Sequence, residues 1–136
     1  MTSIQSIKAI QVLDSRGLPT VSCNIVLDSG ANAMAMVPSG ASTGTKEALE
    51  LRDGDSFYMG KGVEKAVDNI NNIICPVLIG LDPKNQKLID QKLIELDGTD
   101  DKSNLGANAL LAVSLAISHA AAKDKKIPLH SHFSDI

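Results

Sequence analysis

The chain has 136 residues, with 13 Lys plus Arg against 16 Asp plus Glu, for a formal net charge of −3. That length suits a single domain with its own core, and 43% hydrophobic with 21% charged residues excludes a disordered, collagen-like or mucin-like chain. Mild acidity argues against nucleic acid as a partner, because phosphate binding needs a basic footprint, and Phe57, Tyr58 and Phe133 are too few aromatics for base stacking.

Three strands are expected first. Residues 4–13 carry apolar Ile4, Ile10 and Val12 with polar Gln5 and Gln11 between, then the turn cluster Asp14, Ser15, Arg16, Gly17. Residues 20–27 are rich in β-branched side chains and stop at Asp28, Ser29, Gly30; residues 31–37 return and are halted by Pro38. Such short connections favour an antiparallel meander over parallel strands with crossover helices. Residues 39–62 hold Gly40, Gly44, Gly54, Gly60 and Gly62, too many for one regular element, so a structured loop with at most short helical turns is expected. Loops of that length in a small domain are often functional, which makes this the segment in which to look for chemistry.

Helices follow. Val63, Ala66, Val67, Ile70, Ile73 and Ile74 form one apolar stripe at helical spacing, and Pro76 should end or kink that helix at Cys75. Asp82-Pro83 reads as the start of a second helix with Leu88, Ile89, Leu93 and Leu96 buried and Gly98 as its stop. A third runs from about Asn104 to Lys123, with Ala109, Ala112, Ala116 and Ala120 on one face and Leu110, Val113 and Ile117 on another. Lys123, Lys125 and Lys126 then suit the negative end of its dipole. The expected architecture is α+β, a three-stranded antiparallel meander followed by a bundle of helices on one face of the sheet.

No run approaches the roughly 18–20 apolar residues that span a bilayer. The first ten residues lack the basic and apolar blocks of a secretion signal, so a cytoplasmic protein is expected. Cys23 and Cys75 have no CxxC or Cys/His spacing and read as reduced core residues, with a disulfide between them as the alternative.

The segment Pro38-Ser39-Gly40-Ala41-Ser42-Thr43-Gly44-Thr45-Lys46 gathers hydroxyls, pliable backbone and a cation, the vocabulary of a phosphate or metal-binding loop. It is not a P-loop, since the glycine spacing is too short and Lys46 is displaced. From spacing alone a plain surface turn is the competing reading. His130 and His132 lack a third ligand for zinc, and His119 reads as helix surface. Asp97, Asp100 and Asp101 lack the ligand spacing of a calcium loop and read as a solvated turn between helices. Asp14 and Arg16 could be a buried ion pair pinning the first hairpin or a site contact, with the structural reading ahead. No nucleophile with a base, no carboxylate pair and no complete metal set is present, so the chain reads as a domain that contributes a loop to something else.

Leu13-Asp-Ser-Arg-Gly-Leu-Pro-Thr-Val21, the VPSGASTGTKEALELRDGD run of residues 37–55, GKGVEKAVDNIN of 60–71, LDGTDDKSNLGANALLAVSLA of 96–116 and IPLHSHFSDI of 127–136 closely resemble the amino-terminal domain of the enolase family, the phosphopyruvate hydratases. The likeness runs in order along essentially the whole chain. It implies that residues 1–136 form a capping domain and that the catalytic β/α barrel of the family is absent from this chain. In whole enolases that barrel reversibly dehydrates 2-phosphoglycerate to phosphoenolpyruvate with two Mg2+ ions, so no catalytic residue is expected here.

The resemblance further implies that Ser39, Gly40, Ala41, Ser42, Thr43 and Gly44 form a mobile lid loop, with Ser42 a magnesium ligand when the lid closes. Magnesium is not expected to bind tightly to this chain alone. A homo-oligomer is expected for the whole protein. However, Ile10 and Ser22 stand where many relatives carry a basic and an acidic residue that pair across a dimer interface, which puts the usual dimer contacts in question. The alternative is a non-catalytic binding module, such as a surface-displayed fragment that binds a host protein; the loop motif has no evident purpose in one.

Overall fold

The computed structural model describes residues 1–40 and 44–136. Strands β1 (Ile4–Leu13), β2 (Pro19–Leu27) and β3 (Asn32–Met36) pair antiparallel in the order β1-β2-β3, the expected meander. Its turns are set by short acidic side chains and glycines. Asp14 Oδ1 accepts the amides of Arg16 (2.8 Å) and Leu18 (3.0 Å), while the Asp28 carboxylate ties the second turn to the amide and hydroxyl of Ser3. Gly17 (φ +75°) and Gly30 (φ +92°) occupy the left-handed positions. The period-two alternation buries Ile7, Ala9, Val21, Cys23, Ile25, Ala33 and Ala35 and leaves Lys8, Ile10, Met34 and Met36 on the outer face. On that face Ile10 pairs with Ser22, and Ser22 with Met36.

Among the described residues of 39–62 the only helical element is a 3-10 turn, Phe57–Gly60, as expected of so glycine-rich a stretch. Helix α1 (Glu64–Asn69), a π turn (Ile70–Ile74) and α2 (Cys75–Leu78) then run on as one helical rod against β1. Of the expected end or kink at Cys75, the end is corrected, and the irregularity is a π turn that stops at Ile74. The helix passes Pro76 because the chain widens into a π turn ahead of it, and Pro76 falls in the first turn of α2, where a missing N–H costs least. Val63, Ala66, Val67, Ile70 and Ile74 are buried, whereas Ile73, at the margin of the stripe, is exposed.

Helix α3 (Gln86–Asp97) starts later than Asp82-Pro83 suggested. Those residues form a turn in which Asp82 accepts the amides of Lys84 and Asn85, and the cap is Asn85, whose Oδ1 accepts the Leu88 amide at 3.2 Å. Ile89 and Leu93 are buried; Leu88, one position before their stripe, faces solvent. Gly98 (φ +73°) ends the helix as expected. Helix α4 (Ala107–Lys125) begins after Asn104 because Gly106 (φ +97°) cannot be helical, and it ends at Lys126 in the left-handed region. Both of its expected faces are buried, which makes it the central post, packed on β2 and β3 and touching α1, α3 and α5 (Leu129–Ser134).

Each fully buried Ile, Leu or Val contributes about 1.5–3 kcal/mol, against at most about 1 kcal/mol for a surface pair such as Lys84–Asp124, so the fold rests on this core. Cys23 and Cys75 are both free, Cys23 inside the core and Cys75 half-buried at its edge. Burial, helped by Cys75, pushes the Cys23 thiol up to about 12. Among the described residues no helix is long and apolar enough to cross a membrane.

Candidate functional site

A concavity of about 390 Å³ lies between residues 37–50 and the first turns of α4, with Ser39, Gly40, Gly44, Glu47 and Glu50 on one wall and Asn108 and Leu111 on the other. Its floor is a backbone clamp. The Asn108 side chain accepts the Leu51 amide and donates to the Leu51 carbonyl, both at 3.0 Å, while the Ala107 amide donates to Leu49 O at 2.7 Å and the Leu49 amide to Asp101 O at 2.6 Å. Gly106 makes this approach feasible. A Cβ there would stand 2.5 Å from Leu51 Cβ and 2.6 Å from Asn108 Oδ1. The GANA run at residues 106–109 is thus a scaffold that holds the loop segment on the helix.

The wall is fastened by charge. Arg16 Nη2 reaches both Asp14 Oδ2 and the Ser39 carbonyl, each at 3.2 Å, and the Ser39 hydroxyl donates a long 3.4 Å bond to Glu50. Glu50 is paired with Arg52 at 2.9 Å, and Arg52 in turn donates to the carbonyls of Pro19 (2.6 Å) and Lys61 (2.7 Å). On the other side the Gly44 amide donates to Glu47 Oε2 at 2.9 Å. Behind it, Asp53 accepts the amides of Glu64 and Lys65, both at 2.9 Å, and so caps α1 from outside the helix.

Ser39, Gly40 and Gly44 line the cavity. Ala41, Ser42 and Thr43 lie outside the described residues. Lys46 is exposed to solvent. Asp14 and Arg16 are half-exposed rather than a buried pair, and they serve both the hairpin turn and the loop. Hydrogen bonds from the amides of Leu18 and Arg16 hold the Asp14 carboxyl below the ordinary range.

Asp97 needs correction, since it is not a solvated turn residue. It is buried, accepting the Leu105 amide at 2.7 Å and both the amide and the hydroxyl of Thr99. Burial alone would raise its pKa, but the Leu105 and Thr99 bonds outweigh that and lower it. Asp100 and Asp101 are exposed. On α5, His130 is exposed and His132 is buried.

Among the described residues no three His, Cys, Asp or Glu side chains converge on a metal-sized point. The two carboxylates of the wall, Glu47 and Glu50, are already committed to Gly44 and Arg52, so the residues described do not fit a magnesium site by themselves. The wall can hold and present a loop; it offers no base or nucleophile in a reacting arrangement.

Sequence reasoning located the loop but missed Glu50, Arg52, Asp53 and the Gly106–Asn108 clamp. The one local signal was a glycine set directly before a long helix. A family model described as "Enolase, N-terminal domain" matches residues 4–133 of the chain.

Proposed function

The chain belongs to the enolase N-terminal-domain family, a lyase family, and from that premise we propose that it caps the active site of an enolase whose catalytic β/α barrel lies outside residues 1–136. On this reading the whole protein is cytoplasmic and reversibly dehydrates 2-phosphoglycerate to phosphoenolpyruvate. Residues 39–44 act as the lid over that site, and Ser42 is the chain's contribution to a magnesium ion whose carboxylate ligands come from the barrel.

The observation that carries the reading is the tethering of Ser39 and Gly44, the two ends of the segment, beside an open cavity. Ser39 is held by Arg16 and Glu50, Gly44 by Glu47, and the floor beneath by Asn108. Such an arrangement fixes where a short hydroxyl-bearing loop begins and ends, while among the described residues no cluster of metal ligands faces it. A homo-oligomer is part of the proposal, and its contact over the row Ile10, Ser22 and Met36 would be apolar rather than an ion pair.

The test is turnover of 2-phosphoglycerate, followed as phosphoenolpyruvate absorbance against magnesium concentration. This domain joined to its barrel should turn over in a magnesium-dependent way, and the 136-residue chain alone should not. Turnover by the chain alone, or none by the joined protein, would reject the assignment.

A further inference from the structure

Outside the cavity, one ionisable group among the described residues is enclosed with its hydrogen bonding incomplete. His132 on α5 is 0% exposed. Its Nδ1 lies 3.0 Å from Nζ of Lys125, the side-chain contact that joins α5 to the end of α4. A lysine ammonium can only donate, so Nδ1 must accept and the ring proton must sit on Nε2. That Nε2 is buried without a partner. The joint between the helices is Lys126, at φ +59°, followed by Ile127 and Pro128.

We propose that α5 is a proton-gated latch, seated on α4 while His132 is neutral and released when mild acid protonates the ring. The geometry requires the coupling. Protonation places a second donor and a second positive charge on Nδ1, facing an ammonium at hydrogen-bond distance, inside a site that gives the imidazolium no acceptor. Of the charged groups acting on the ring, Lys125 from α4 opposes its protonation and Asp135, at the end of α5, favours it more weakly.

The sign follows. Burial first, then Lys125, hold the His132 pKa below its ordinary 6.5 in the docked state, so the undocked helix binds the proton more readily. Docking is complete above that value and weakens as pH falls below it, by at most about tenfold per pH unit. The lowered carboxyls of Asp97 and Asp124 act only below their ordinary 3.8, apart from the His132 interval.

The test is NMR of the 136-residue chain between about pH 7.5 and about pH 5, the window in which histidine changes charge. Backbone 15N heteronuclear NOEs would be read for α5 and for β2, and the His132 ring shifts would be followed in the same samples. The α5 values should fall as the ring takes up its proton while those of β2 hold. His132→Phe should keep α5 ordered at the acid end. Lys125→Met, which leaves the ring in place and removes the second of the two causes, should weaken the response without abolishing it, and it serves as the test if the Phe variant does not fold. An α5 that stays ordered to about pH 5, or one that loosens equally in wild type and Lys125→Met, overturns the latch.

Discussion

Gly106→Ala is the sharpest test of the scaffold beneath the loop. At φ +97° an alanine pays roughly 1–3 kcal/mol in backbone strain. Its Cβ also lands 2.5 Å from Leu51 Cβ and 2.6 Å from Asn108 Oδ1, so Leu51 must move. That movement breaks the pair of 3.0 Å bonds between Asn108 and the Leu51 backbone, at about 1 kcal/mol each. The total is about 3–5 kcal/mol, which for a chain of this size lowers Tm by about 10–20 °C.

Urea titration followed by far-UV circular dichroism measures this directly, with a shifted midpoint and an unchanged slope expected. Asn108→Ala should cost about 2–3 kcal/mol by leaving the Leu51 amide and carbonyl unpaired. Because both changes act through Leu51, the double variant should lose less than the sum of the singles. A Gly106→Ala loss under about 1 kcal/mol, or strict additivity with Asn108→Ala, would refute the clamp.

Thiol labelling of the native chain should modify Cys75 and spare Cys23, whose thiol is buried and pushed up to about 12; mass spectrometry showing two labels before unfolding contradicts this. Acid stability should fall in a second step below that of His132. Asp14, Asp97 and Asp124 have lowered carboxyls, so the unfolded chain binds their protons first, and stability is kept above about pH 4 and lost as pH drops through the lowered values. Asp97→Asn should shrink that step in a pH series of urea midpoints, and an unchanged step would remove Asp97 from the account. Isothermal titration of magnesium into the 136-residue chain should show no tight binding, because Glu47 and Glu50 are already engaged; a strong stoichiometric isotherm would contradict it.

The first two strands were legible because each ends in an acidic side chain and a glycine that act within a few residues of one another, at Asp14 with Gly17 and at Asp28 with Gly30, and the third because Pro38 halts it. The helices were legible as stripes but not at their edges. Asp82-Pro83 carries a helix-start signature yet makes a turn, because Asn85 supplies the cap three residues on. Pro76 carries a stop signature, and the π turn before it absorbs the missing hydrogen bond.

At the candidate site, residues 39–44 announced themselves by composition. Their supports did not. Arg16 to Ser39, Asn108 to Leu51 and Asp53 to Glu64 join segments far apart in sequence, and a side chain that bonds a distant backbone leaves no periodicity to read. Asp97 was misjudged for the same reason, its partners at Leu105 and Thr99 lying in a loop whose path no local pattern sets.

The most direct measurement is steady-state kinetics of Ser42→Ala across a magnesium titration, in the protein that joins this domain to its barrel, with thermal melting alongside. Loss of a ligand acquired on closure should lower turnover, each tenfold corresponding to about 1.4 kcal/mol of transition-state stabilisation, and should raise the magnesium needed, with Tm nearly unchanged. Ser39→Ala removes, among the described residues, the 3.4 Å bond to Glu50 and should be milder. Wild-type turnover and magnesium dependence in Ser42→Ala would contradict the proposed function of the loop.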